Sequence, residues 1–343
     1  VGRGLALCLL ASCGRVGFDA PASWWSPVWP YRQAILFDHT KVAGDLTDFP
    51  VLVTTDAARA GGFAFVDSAN AELSFELETL SPFTAWVKLP LLSSTTDTTI
   101  YLYYGNRDQP DHARPADVWS NGYTAVFHFG DGVTLDARDS LGMNDGAVDG
   151  AGAAAGQIGG AASFDGTANI AVSTLGLDAT PGGVNTVTFW LYFQPPFVTM
   201  PVAFQAIAAE GTYDLWFEGD GCEGFNTGNG EVLGTGTTML ASHWIHVAAM
   251  FPNGIPTMSS SALYFDGIEQ SLAECSTAPP KTPVLYPFAY WGGVVGSSDY
   301  RMTGLIDEGR LAVGTRSAAW LQTEHASQAA PASFEAFGPV ESF

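Results

Sequence analysis

Apolar and polar residues alternate with a period near two along much of this chain, the pattern of strands with one buried face. Leu73, Phe75 and Leu77 alternate with polar neighbours, and Tyr123, Ala125, Phe127 and Phe129 fall on one side of a later run. Bounded by Gly, Pro, Asp and Ser, such runs predict early strands over Gln33–Phe37, Phe49–Thr54, Glu72–Glu78, Ala85–Leu89 and Thr99–Tyr104. Later strands are expected at Tyr123–Phe129, Ala161–Phe164, Ile170–Val172, Val187–Phe193, Ala206–Ala209, Tyr213–Phe217, Trp244–Phe251, Ala262–Phe265 and Met302–Ala312. Gly61-Gly62 and Ser81-Pro82 read as turns, and Ala147 through Gly156 as a Gly/Ala loop. Helical periodicity is nearly absent. Ser317 can cap one short helix from Ala318 to about His325, with Trp320 and Leu321 turned toward the strands.

A chain of 343 residues suits two domains of ordinary size. Nearly half its residues are apolar, and 39 glycines and 20 prolines are spread throughout. The expected fold class is therefore all-β, with two β-sandwich domains. The expected division is a signal peptide over 1–12, a tether over 13–23, a β-rich domain over 24–119 and a second domain over 120–343.

Charge narrows the partners. With 13 basic against 35 acidic residues the net charge is −22, which repels phosphate backbones and argues against nucleic acid. Acidic loops rich in Asp, Asn and Gly suit hard cations such as calcium, or simply solubility.

The first residues carry Arg3 and then an apolar run too short to span a bilayer, as in a signal peptide. Leu10-Ala11-Ser12-Cys13 resembles a bacterial lipobox, which implies lipidation of Cys13 and an exported protein anchored by lipid alone, at the outer membrane or cell surface. Cys8 then leaves with the leader, and Cys222 and Cys275 remain as an even pair suited to a disulfide.

Two resemblances follow from longer motifs. Phe37 through Val53, with Ala85-Trp86-Val87-Lys88-Leu89-Pro90 and Tyr101-Leu102-Tyr103-Tyr104-Gly105-Asn106, is similar to an uncharacterised bacterial and archaeal extracellular domain family without established activity. Gly159-Gly160-Ala161-Ala162-Ser163-Phe164-Asp165-Gly166, together with Gly304-Leu305-Ile306-Asp307-Glu308, resembles the laminin-G-like, concanavalin A-like jelly rolls. The second of these motifs reads as a late strand carrying an acid at its end. The resemblance implies a jelly roll over 120–343 that binds glycans or proteins. It also implies a structural calcium held by Asp139, Asn144 and Asp307, with backbone carbonyls near Asp165.

Candidate chemistry is otherwise thin. Glu76 and Glu78 are two apart on a strand and share a face, as paired carboxylates of a glycosidase would. They do not reproduce the Glu-x-Asp-x-x-Glu strand of concanavalin-type hydrolases, and a solvated strand face is the expectation. His128 and His39 stand alone, and His243 and His246 fall on opposite faces. Trp216, Tyr290 and Trp291 lie at strand ends beside loops and are the candidates for a sugar-stacking platform, with core or rim packing as the alternative. The sequence thus points to a non-catalytic surface protein that binds a polysaccharide or a surface protein. The alternatives are a polysaccharide hydrolase or lyase, and a structural coat module.

Overall fold

The structure, a computed structural model, describes residues 23–56, 60–193, 200–204, 213–217, 222–227, 231–237, 241–276, 288–293 and 301–343. The expected leader, Cys13 and the strand Ala206–Ala209 lie outside the described residues.

The described residues form an all-β protein of two antiparallel sandwiches. The first pairs a five-stranded sheet, in the order Glu335–Ser342, Tyr31–Phe37, Thr98–Asn106, Gly62–Asp67 and Glu72–Leu73, with a three-stranded one of Leu46–Thr55, Phe83–Leu92 and Phe75–Leu80. Strand alternation sends Phe49, Val51, Val53, Phe75, Ala85 and Val87 inward against Ile35, Phe37, Phe65 and Leu102. It sends Leu52 and Trp86 to the opposite face, toward the second sandwich.

Three departures from the expected elements have physical causes. The run over Glu72–Glu78 breaks at Ser74, whose carbonyl accepts the Lys88 amide, so its halves join different sheets. Alternation continues across such a corner and cannot reveal it. Gly62–Asp67 is a strand where only a turn at Gly61-Gly62 was expected. Its Phe63 and Phe65 enter the sandwich core while Ala64 and Val66 pack under Trp29 and Tyr103, and burial on both faces erases alternation. The last strand, Glu335–Ser342, falls within the range expected for the second domain but pairs with Tyr31–Phe37 in the first.

The second sandwich has two eight-stranded sheets among the described residues. One is built around the eleven-residue strand Thr303–Val313, flanked by Gly160–Asp165, Val184–Phe193 and Tyr123–Phe127. Phe127, Phe129, Phe164, Phe189, Ile306, Leu311 and Trp291 fill the space between the sheets. The expected Gly/Ala loop holds two short strands, Ala147–Asp149 and Gly152–Ala155, one on each sheet. Small residues at an edge need little apolar content to pair.

The helix Ala318–Ala329 is wedged between the sandwiches. Ser317 caps it by accepting the Trp320 amide at 3.1 Å. Trp320 meets Phe49 of the first sandwich at 4.8 Å between ring centres. From the same helix, Gln328 accepts the Trp190 indole N–H of the second sandwich at 2.6 Å. The first core runs on without a gap into Ala248, Met250 and Tyr264 of the second.

Cys222 and Cys275 form a disulfide across 53 residues of sequence, with Cα atoms 6.1 Å apart. Closing a loop of that length stabilises by about 2–4 kcal/mol in the chain-entropy picture. Urea denaturation with and without reductant is expected to show that difference. Coincident curves, with reduction confirmed by thiol titration, would contradict it.

Candidate functional site

Three strands deliver charged side chains to the junction between the sandwiches. In the central strand, Thr188 faces Arg310 and Trp190 faces Asp307, so the single residue Phe189 opposes both Glu308 and Gly309. Glu308 takes a left-handed φ of 52° at this β-bulge. The extra residue changes which side chains share a face. Ile306 and Leu311 remain in the core, while Asp307, Glu308 and Arg310 do not join it. Gly309 turns inward instead, where a Cβ would lie 2.9 Å from the Trp291 ring, so this position accepts only glycine without repacking. Glu308 therefore lies mid-strand, inside the range expected for this strand.

His128 arrives by a related break. Phe127 and Phe129 both enter the core, so His128 between them faces the first sandwich. The strand ends at Phe127, and Phe129, with a φ of 59°, opens the short strand Phe129–Gly130.

The three segments converge on His128. Its Nδ1 lies 2.8 Å from Glu308 Oε1 and 3.8 Å from Glu78 Oε2, and its Nε2 lies 3.2 Å from Glu76 Oε2. Trp119 donates its indole N–H to Glu76 Oε2 at 2.5 Å, and Trp86 donates to Glu78 Oε2 at 3.0 Å. Arg310 bridges Glu308 at 2.5 Å and Glu324 at 2.7 Å. Its guanidinium rests 4.3 Å from the Trp86 ring centre and 4.9 Å from that of Trp119. Glu76 and Glu78 are thus not a solvated strand face, and His128 does not stand alone.

Burial and charge act in opposite directions here. Burial raises Glu78, and repulsion from Glu308 adds to it, pushing the carboxyl up to about 8. Burial is the largest influence on Glu308 and Glu76 and raises both, but His128 with Arg310 for Glu308, and His128 with hydrogen bonds from Trp119 and Ser140 for Glu76, together outweigh it, so each stays below its ordinary value. His128 is held well above its ordinary value, because Glu308 and Glu76 overcome the cost of burying its charge. Among the described residues Asp307 has no such counter-ion, and burial followed by Glu308 drives it well up. A protonated imidazole satisfies both facing carboxylates, since only the cation donates from both nitrogens.

The cluster opens into a cleft of about 780 Å³ between the sandwiches. Glu76, Leu77 and Glu78 line it from the first; His128, Asp131, Asp136, Arg138, Ser140 and Asp145 line it from the second. At the rim, Arg138 pairs with Asp136 at 2.5 Å in an exposed contact.

The expected site residues lie elsewhere or act otherwise. Trp291 and Tyr290 are buried, as is Trp216, which packs with Met200 and Ala203. Rings so enclosed present no face to a sugar, which corrects the platform assignment. The apolar alternation that placed them beside loops continues into the core.

The residues expected around calcium have separate hydrogen-bond settings. Asp139 accepts backbone N–H groups from Val126, Leu141, Met143 and Asn144, and Asn144 donates to the Thr124 carbonyl. Asp165 closes a turn onto Thr167 and Ala168. Asp307 accepts the Ile158 amide at 2.8 Å. Among the described residues, two groups of acids and imidazoles bring ligand atoms within 4.8 Å of one another: Glu78 with His128 and Glu308, and Asp38 with His39 and Asp97.

Residues 164–327 match the family model described as the concanavalin A-like lectin/glucanases superfamily. No curated protein matches the chain. Among solved structures, domain 4 of AbnA, a GH43 extracellular arabinanase from Geobacillus stearothermophilus, in complex with arabinotriose, is 19% identical with a TM-score of 0.41, over 60% of this chain and 98% of that one. Trypanosoma rangeli sialidase is 11% identical with a TM-score of 0.42, over 69% and 42%. The botulinum neurotoxin serotype D binding domain is 12% identical with a TM-score of 0.41, over 60% and 52%.

Proposed function

We propose that this protein is a non-catalytic binding module that holds a neutral or basic glycan in the cleft between its sandwiches. The observation carrying this reading is the cleft itself, large enough for a short oligosaccharide and walled by Glu76, Glu78, Asp131, Asp136 and Asp145. Carboxylates accept hydrogen bonds from sugar hydroxyls, and the same charge turns away anionic polymers. Export to an oxidising compartment suits the disulfide. Acylation of Cys13 would fix the module at a membrane surface, where dense display offsets weak single-site binding.

A hydrolase is the second reading, favoured by one observation: Glu76 and Glu78 line the cleft side by side.

A glycan array probed with multivalent protein, beside a polysaccharide-degradation assay, tests both. The double variant Asp136→Ala, Arg138→Ala removes only an exposed pair at the rim. Its expected effect is at least tenfold weaker binding with little change in stability. Binding untouched by the rim variant would contradict the cleft assignment. Turnover that is lost in Glu76→Gln would establish the hydrolase, and no glycan signal at high valency would favour a protein ligand.

A further inference from the structure

We propose that Glu78, His128 and Glu308 form a binding site for one divalent transition-metal ion of the zinc type at the floor of the cleft. Imidazole Nδ1 and one oxygen from each carboxylate converge within 4.8 Å of one another. Nδ1 stands 2.8 Å from Glu308 Oε1 and 3.8 Å from Glu78 Oε2. Ligands about 2.0–2.1 Å from a tetrahedral zinc are roughly 3.3 Å apart, so these separations bracket the required spacing. Sub-ångström side-chain shifts would close the shell.

A second observation points to a missing partner. The Glu78 side chain is only 4% exposed, yet its Oε1 has no hydrogen-bond partner. Oε1 is pressed against Gly159, where a Cβ would collide with it. A cation bound through Oε1, or through both oxygens, would supply that atom's missing partner.

The donor set selects the class of ion. Calcium and magnesium prefer shells made of oxygen alone, whereas an imidazole beside carboxylates suits zinc and its neighbours. The surroundings fit as well. His128 Nε2 faces Glu76 Oε2 at 3.2 Å, so Glu76 would orient the metal-binding imidazole from behind. Arg310 holds the other oxygen of Glu308. Binding replaces the hydrogen shared by Nδ1 and Glu308 Oε1, and that proton leaves to solvent. Glu78 and His128 line the cleft, which gives the ion its route in and leaves a coordination position toward a cleft ligand.

The site does not depend on which ligand fills the cleft, because a metal titration reads it without any glycan. The full chain, stripped with chelator, is titrated with zinc chloride by calorimetry, with calcium chloride and manganese chloride in parallel. The metal content after gel filtration is measured alongside. One tightly held zinc per chain is expected, with weaker manganese and no comparable calcium. Glu78→Gln keeps the size of the side chain and an oxygen for Trp86, and is expected to lower zinc affinity at least tenfold. His128→Gln is expected to lower it about a hundredfold. His39→Ala, in the exposed group with Asp38 and Asp97, is expected to leave the tight event unchanged. Should His128→Gln fail to fold by circular dichroism, Glu78→Gln decides. No tight zinc in the parent protein, or tight binding that survives Glu78→Gln, would overturn the proposal. Loss of that binding in His39→Ala would overturn it too, by moving the ion to the surface.

Discussion

Arg310→Ala is expected to lower folding stability by about 3–5 kcal/mol, the usual cost of removing one partner from a buried ion pair. Glu324 would lose its cation and Glu308 would keep only His128, in a place water cannot reach: the Arg310 side chain is 1% exposed, Glu308 1% and Glu324 3%. The guanidinium also packs on Trp86 and Trp119, so its removal leaves a void where the sandwiches meet. Arg310→Lys should recover part of the loss, since an ammonium restores charge but lacks the planar fork that reaches two carboxylates. Urea denaturation followed by tryptophan fluorescence measures both. A change below about 1 kcal/mol for Arg310→Ala, in the range of an exposed pair, would mean that the junction is solvated.

Trp291→Ala is expected to cost about 3–5 kcal/mol as well, through the cavity left by a large buried ring. The indole sits 5.7 Å from the Phe189 ring, 6.1 Å from Phe129 and 6.3 Å from Phe127, all edge-on, and Gly309 supplies the room for it. Were Trp291 a sugar platform, the same variant would fold normally and only bind less. Thermal melting separates the two outcomes. An unchanged melting temperature with weakened glycan binding would restore the platform.

Several strands were legible in the sequence because short apolar runs bounded by turn residues read as strands even where both faces are buried. Gln33–Phe37, Val187–Phe193 and Ala262–Phe265 are such runs, and the helix cap at Ser317 was legible as well. Gly62–Asp67 was not legible, because it opens on the Gly61-Gly62 pair, which reads as a turn, and its burial on both faces leaves no alternation to offset that.

The charged cluster was hidden for a different reason. Its members come from positions 76, 78, 128, 308, 310 and 324, and no short motif links residues so distant. The spacing of Glu76 and Glu78 correctly gave them one face, but spacing does not say what covers a face. The bulge at Glu308 was also invisible, since only the pairing with Phe189 reveals that Glu308 leaves the core. One local signal existed: Asp307, Glu308 and Arg310 interrupt an otherwise apolar strand with three charges in four residues. Charges in such a run have to find partners.

Hydrogen exchange read by mass spectrometry tests the placement of the ligand most directly. The protein is compared alone and saturated with a glycan that binds on the array. Slower exchange is predicted at residues 76–78 and across 128–145, on both walls of the cleft. Protection confined to the strand Phe288–Trp291 and its neighbours, with both cleft walls unchanged, would contradict the assignment.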